Sequence, residues 1–327
     1  MPPSSPSQGH APGRLVDDLG RRRFLFVTGK GGVGKTTFAA ALAVALAREG
    51  KRVLVALCNT KERLSAILGT KPIGDEIMPV AEGVWAVNIS PDKALTEYGE
   101  MVLKVRSVAH AVFDNRYTKT FFRAVPGLYE WAMLGKAWFH TTEIGPDGRP
   151  RFDVVLLDAP ATGHGLDMMR VPKVILDVVP PGVLRRDAEE AWAMFRDPAR
   201  SGILVVTLPE EMPAQETIEL VDAIKTDLTL PVLRLVVNAV LAPLFSPEER
   251  DRLAQEASLL SMDAPDRTNG TAESALVAGA RRAVREKVQA ESLARLKQEI
   301  DLPQITLPHL FDEASTVEGT KILSKLL

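Results

Sequence analysis

The sequence predicts an α/β fold, a mainly parallel sheet with helices on both faces and helical insertions. Three observations carry that expectation. From Phe24 onward, short apolar runs alternate with helix-forming stretches, as parallel strands joined by helical crossovers require. The first strand-to-helix junction is a glycine-rich loop, and a long segment before Val154 has helical periodicity but no strand signal.

Taken in order, residues 1–20 are rich in Pro, Ser and Gly and read as a disordered tail that contributes nothing to the core. Arg21-Arg22-Arg23 superficially resembles a twin-arginine export signal. No apolar segment or small-residue cleavage site follows, so a solvated charge run ahead of a buried strand is the better reading. Strand candidates are Phe24–Thr28, Val53–Leu57, Val154–Asp158, Ile203–Leu208 and Leu233–Asn238, with Val84–Ile89 and Ile305–Leu307 as additions.

The stretch FAAALAVALARE after the first loop is an apolar helix stopped by Gly50. Leu95, Tyr98, Met101, Val102, Val105, Ala109 and Val112 recur at helical spacing and predict a helical insertion over about 92–142. A second helical stretch, about 166–195, should be interrupted at Pro172 and at Pro180-Pro181. Residues 272–299 predict a long helix, with Val277, Ala280, Val284 and Val288 forming a stripe that docks on its own domain. Residues 21–327 therefore read as one domain.

With 327 residues, 46% hydrophobic and 25% charged, the chain can bury a large core. A net charge of −2 leaves no overall footprint for nucleic acid. No segment approaches the roughly 18 to 20 uninterrupted apolar residues of a membrane-spanning helix. The single cysteine, Cys58, excludes an intramolecular disulfide and a thiolate cage within one chain, which fits a reducing, cytoplasmic location.

Gly29-Lys30-Gly31-Gly32-Val33-Gly34-Lys35-Thr36-Thr37 fits G-x-x-x-x-G-K-[ST] between a strand and a helix. Glycines let backbone N–H groups surround a β-phosphate, and the helix N-terminus favours negative charge. Lys35 is expected to bridge the β- and γ-phosphates of ATP, and Thr36 to offer its hydroxyl to Mg²⁺. The bland alternative is a ligand-free turn, which the complete motif in its expected context disfavours. Asp158 ends an apolar strand where α/β sheets place ligands, and could orient a metal-bound water.

GKGGVGKTT resembles the deviant Walker A motif of the SIMIBI class of NTPases. In that class the lysine after the first glycine, here Lys30, reaches the partner's phosphates in a dimer; by itself it reads as a solvated loop cation. Asp158-Ala159-Pro160-Ala161-Thr162-Gly163-His164 is similar to the switch II sequence of the ArsA/Get3 family, the anion-transporting ATPases. The resemblance implies catalytic roles for Lys30, Lys35 and Asp158, a metal site of Thr36 and Asp158, and a switch-positioning role for His164. It also implies adenine contacts from Asn238, whose bland alternative is a strand-end cap, and from Pro308.

Arsenite-binding members of the family use several cysteines, and the tail-anchored-protein targeting factors use a Cys-x-x-Cys zinc clasp; neither set is present. In the targeting factors, helices after switch II build a methionine-rich groove for an apolar client helix. Met168, Met169, Val171, Val174, Ile175, Leu176, Val178 and Val179 lie there, with ordinary core packing as the alternative.

Aligned by strand and loop, LCNTKERL falls on switch I, and Asn59 takes the place of the family's water-directing aspartate. An amide can hold water but cannot accept its proton. Glu62, three residues on, is a candidate substitute acid. One reading is a slow ATP-hydrolysing dimeric switch that binds or targets a client protein. Another is a hydrolysis-deficient regulatory subunit paired with an active paralogue. A positioning ATPase of the ParA/MinD type is disfavoured by DAPATGH and the helical insertion.

Overall fold

A computed structural model describes residues 15–103, 127–160, 162–257 and 272–327. Eight strands form one sheet: β1 (Phe24–Gly29), β2 (Val53–Cys58), β3 (Met78–Ala81), β4 (Val84–Ile89), β5 (Val154–Asp158), β6 (Ser201–Thr207), β7 (Val232–Val240) and β8 (Gln304–Pro308). Their order is β3-β4-β2-β5-β1-β6-β7-β8, antiparallel at β3–β4 and parallel elsewhere. Every residue of β1, β2, β5 and β6 is buried, as strands covered on both faces must be.

The period-2 alternation of side chains divides the core in two. Phe24, Phe26, Leu54 and Ala56 face one apolar layer, and Leu25, Val27, Val53 and Val55 the other. The second layer is closed by helices α1 (Leu15–Leu19), α2 (Lys35–Arg48) and α3 (Leu64–Leu68). In α2, alanines at 39, 40, 41, 43 and 45 are buried, and their small side chains let the helix lie close on the sheet. Gly50 ends that chain segment with φ +78°, a conformation glycine adopts without steric cost.

The first layer is closed by α4 (Pro91–Leu103), α5 (Leu128–Phe139), α6 (Thr162–Val178), α7 (Val183–Arg196), α8 (Glu211–Ala223), and, after α9 (Pro247–Ala257), α10 (Ala272–Glu299). The last helix, α11 (Val317–Leu326), returns to the α2 side through Leu323.

Four expectations are corrected. Residues 15–19 form a helix whose Val16 and Leu19 are buried, so the core begins before residue 20; residues 1–14 lie outside the described residues. Pro172 sits inside α6 without ending it, and only Pro180-Pro181 separates α6 from α7. The antiparallel edge strand β3, MPVA, was not anticipated because it is short and contains Pro79, a residue confined to edges. The stripe on α10 divides its work: Ala280 is buried, whereas Val284 and Val288 line a cleft. The predicted helical insertion is described as α4 and α5, with 104–126 outside the described residues. Among the described residues no helix is long and apolar enough to cross a membrane.

Candidate functional site

The sheet order explains why the site forms at the end of β1. The chain leaves β1 for β2 on one side, with β5 between them, and later crosses from β5 over β1 to β6. Crossovers diverging from one strand open a crevice at its carboxyl end. Asp158 pairs in register with Val27 of β1 and Leu57 of β2. The phosphate loop, Asp158 and Asn59 therefore emerge side by side. Asn238 and Pro308 come from the other side, at the ends of β7 and β8.

The loop between β1 and α2 has the backbone its glycines permit, with φ +145°, +85° and +92° at Gly29, Gly32 and Gly34. A Cβ on Gly29 would lie 2.1 Å from the Val206 carbonyl oxygen, so the loop can rest on β6 only with glycine there. Val33 is buried and anchors the loop, while Gly31 and Gly32 are exposed at its crest. Lys35, the first residue of α2, turns back and donates to the carbonyls of Gly29 (3.1 Å) and Lys30 (2.8 Å). Burial lowers its pKa, an effect Asp158 partly opposes.

Thr36 donates its hydroxyl to Asp158 Oδ2 at 2.5 Å. Asp158 Oδ1 is buried without a hydrogen-bond partner, as is Thr28 Oγ1. Burial pushes the Asp158 carboxyl up to about 6, against the lowering effects of Thr36 and Lys35. A buried carboxylate with one unpartnered oxygen beside a threonine hydroxyl suits a hard cation that also takes phosphate oxygens and water. No cluster of three or more His, Cys, Asp or Glu that could cage a metal exists among the described residues.

Lys30 forms an ion pair with Glu216 of α8, Nζ to Oε1 2.5 Å. Asn59 is exposed and left-handed, φ +46°, a conformation asparagine tolerates better than most residues. Its N–H donates to Ile89 O. The next residue is clamped by Asn88, which accepts from Thr60 N and donates to Thr60 O. Glu62 accepts from Ser65 N (2.6 Å) and Ile73 N (3.4 Å), occupied as a cap for α3. Both its oxygens are thus engaged by backbone, which argues against its standing in for a missing acid. His164 is exposed on the first turn of α6, and Ala161 of the same motif lies outside the described residues. Of the apolar residues after switch II, Met168, Met169, Val171 and Ile175 are buried in the core layer, Val174, Leu176 and Val179 are half-buried, and Val178 is exposed.

A cleft of about 810 Å³ runs along the loop. Its lining includes Gly32 to Thr37, Asn238, Pro308, Arg63 at the start of α3, and Val284, Arg285 and Val288 of α10. Lys30, Asn59 and Asp158 do not line it. Asn238 Nδ2 donates to Val33 O at 2.9 Å, and a Cβ on Gly34 would lie 2.2 Å from that nitrogen. The amide therefore passes over a glycine to bind the phosphate loop. Glu216, Asn88 and Arg63 were not found from sequence: the partners of Glu216 and Asn88 lie in other elements, and Arg63 joins the site only through the cleft it lines.

The chain matches the family model described as Anion-transporting ATPase over residues 22–180. It is 26% identical over 238 residues to the ATPase BagA of Mycobacterium tuberculosis, covering 71% of this chain and 69% of that one. It is 29% identical over 257 residues to a putative arsenical pump-driving ATPase of Halobacterium salinarum, covering 73% of this chain and 39% of the relative. An arsenical pump-driving ATPase of Escherichia coli is 28% identical over 258 residues, 71% and 41% respectively. This chain spans about two fifths of the length of those two pump-driving relatives.

Proposed function

We propose that the chain, which matches the anion-transporting ATPase model over residues 22–180 and resembles ATPases by sequence, is an ATP-binding ATPase of that family and a slow, Mg²⁺-dependent dimeric switch. Residues 21–327 act as one ATPase domain. The observation that carries the reading is the Thr36–Asp158 contact, in which the second carboxylate oxygen is buried without a partner and Thr36 itself lines a nucleotide-sized cleft.

Thr36 and Asp158 would hold Mg²⁺, which when bound neutralises charge on the β- and γ-phosphates. The backbone N–H groups from Gly31 to Thr37 bind the phosphates, and Lys35 leaves the carbonyls of Gly29 and Lys30 to bridge them. Asn238 and Pro308 bind the adenine. Lys30, released from Glu216, reaches the phosphates of a second copy or a paralogue. Asn59 holds the attacking water without accepting its proton, and with Glu62 committed to α3 the step is slow.

The buried methionines of α6 favour core packing there over a client groove, so a client would bind elsewhere on the helical layer. Arsenical cargo, which the names of two relatives carry, does not suit a chain whose only cysteine is buried in β2.

The test is turnover by purified protein with and without Lys35→Ala. Hydrolysis that survives Lys35→Ala sinks the assignment of the loop. Absent turnover in wild type, together with a higher melting temperature in ATP, would instead favour the regulatory-subunit reading that Asn59 also suits.

A further inference from the structure

We propose that Gln289 is a positioning residue for the nucleotide base: it grips both backbone groups of Leu241 and so holds the left-handed turn at Ala239 that aims the Asn238 amide. The inference rests on the reading of Asn238 as the adenine contact.

β7 does not end as a regular strand. Its pairing with β8 slips between Val237 and Val240, and Ala239 in the slip has φ +54°. A residue with a Cβ resists that region, so something outside the strand must keep it there. Two contacts do so immediately after it. Val240 O accepts from His309 N, and Leu241 donates its N–H to Gln289 Oε1 (2.8 Å) while accepting from Gln289 Nε2 (2.9 Å) on its carbonyl. Farther along, Glu286 accepts from Leu244 N and Arg282 donates to Ala242 O. Positions 282, 286 and 289 share one face of α10, which splints the chain leaving the base site.

The aim matters chemically. Asn238 Nδ2 donates to the Val33 carbonyl, so the amide cannot flip without setting two acceptors against each other. Its Oδ1 is thereby presented as an acceptor, which matches the exocyclic amine of adenine and opposes the carbonyl oxygen of guanine. Loosening the turn should cost base discrimination before it costs phosphate binding.

Calorimetric titration of the full chain with MgATP and MgGTP tests this. Gln289→Leu is expected to weaken ATP binding about tenfold, the effect of one or two lost hydrogen bonds, with GTP affinity nearly unchanged. Gln289→Glu should fall between, because a carboxylate accepts from Leu241 N but cannot donate to Leu241 O. Adding Ala239→Gly to Gln289→Leu should recover part of the ATP preference, since glycine adopts the turn unaided. If Gln289→Leu does not fold, Gln289→Glu and Ala239→Gly carry the same comparison. An unchanged ATP/GTP ratio, or equal weakening of both nucleotides, overturns the proposal. Asn238→Ala separates the premises: if it lowers the ratio and the Gln289 variants do not, the inference about Gln289 alone falls. If Asn238→Ala leaves the ratio unchanged, the base-site reading falls with it.

Discussion

Lys30 Nζ lies 2.5 Å from Glu216 Oε1, joining the phosphate loop to α8 across 186 residues of sequence. Both side chains are about one-third exposed, so solvent screens the pair. The second oxygen of Glu216 is buried without a partner. Such a contact is strong enough to store a lysine and weak enough to yield it to a phosphate, whose charge is greater.

Glu216→Gln should therefore release Lys30. The fraction of dimer formed with a non-hydrolysable ATP analogue is expected to rise several-fold over wild type, and Lys30→Ala should abolish the dimer. Sedimentation velocity at matched concentrations reads both. A Glu216→Gln variant that dimerises less than wild type would mean that the pair supports the interface and does not hold Lys30 in reserve.

The Asp158 carboxyl predicts a pH dependence. Its usual value is 3.8 and in the folded chain it is near 6, so between those values the folded state binds more protons than the unfolded one. Ionising it as pH rises through that window costs stability. The nucleotide-free protein should lose melting temperature from about pH 4 to 6 relative to Asp158→Asn. The added stability from MgATP should shrink below about pH 6, where the carboxyl is protonated. Melting curves over a pH series check both, and parallel curves for the two proteins would remove Asp158 from the account.

Gly34→Ala tests how the loop and Asn238 fit together. The new methyl would meet Asn238 Nδ2 at 2.2 Å in a backbone with φ +92°. ATP affinity should drop at least tenfold, on the order of the strain of a forced left-handed residue plus a lost hydrogen bond. Near-wild-type affinity would show that the amide can move away freely.

Asn59→Asp should raise the hydrolysis rate by one to two orders of magnitude, about the lower range of general-base effects, with ATP affinity nearly unchanged. Steady-state turnover and a separate binding isotherm measure the two. A rate that does not move removes Asn59 from the position of the water-directing residue.

Legibility differed by feature. Seven of the eight strands were readable, four of them because burial on both faces demands continuous apolar runs such as FLFVT and VVLLD; β3 is a half-exposed edge strand of only four residues with Pro79 inside it. The phosphate loop was readable because its glycines and lysine are contiguous. Pro172 misled because a proline's helix-breaking tendency is local, whereas the packing of Met168, Met169, Val171 and Ile175 against the sheet holds α6 together across it.

By itself, the sequence determined the α/β alternation, the loop that can bind phosphate, Asp158 at a strand end, and the amide at position 59. These are properties of neighbouring residues and need only covalent spacing. The tertiary structure decided that Glu216 holds Lys30, that Glu62 is spent on capping α3, that Val33 sets the orientation of Asn238, and that Gln289 braces the turn beside it. Each of those except the cap joins residues at least 48 positions apart, and only the strand order brings them within a hydrogen bond of one another.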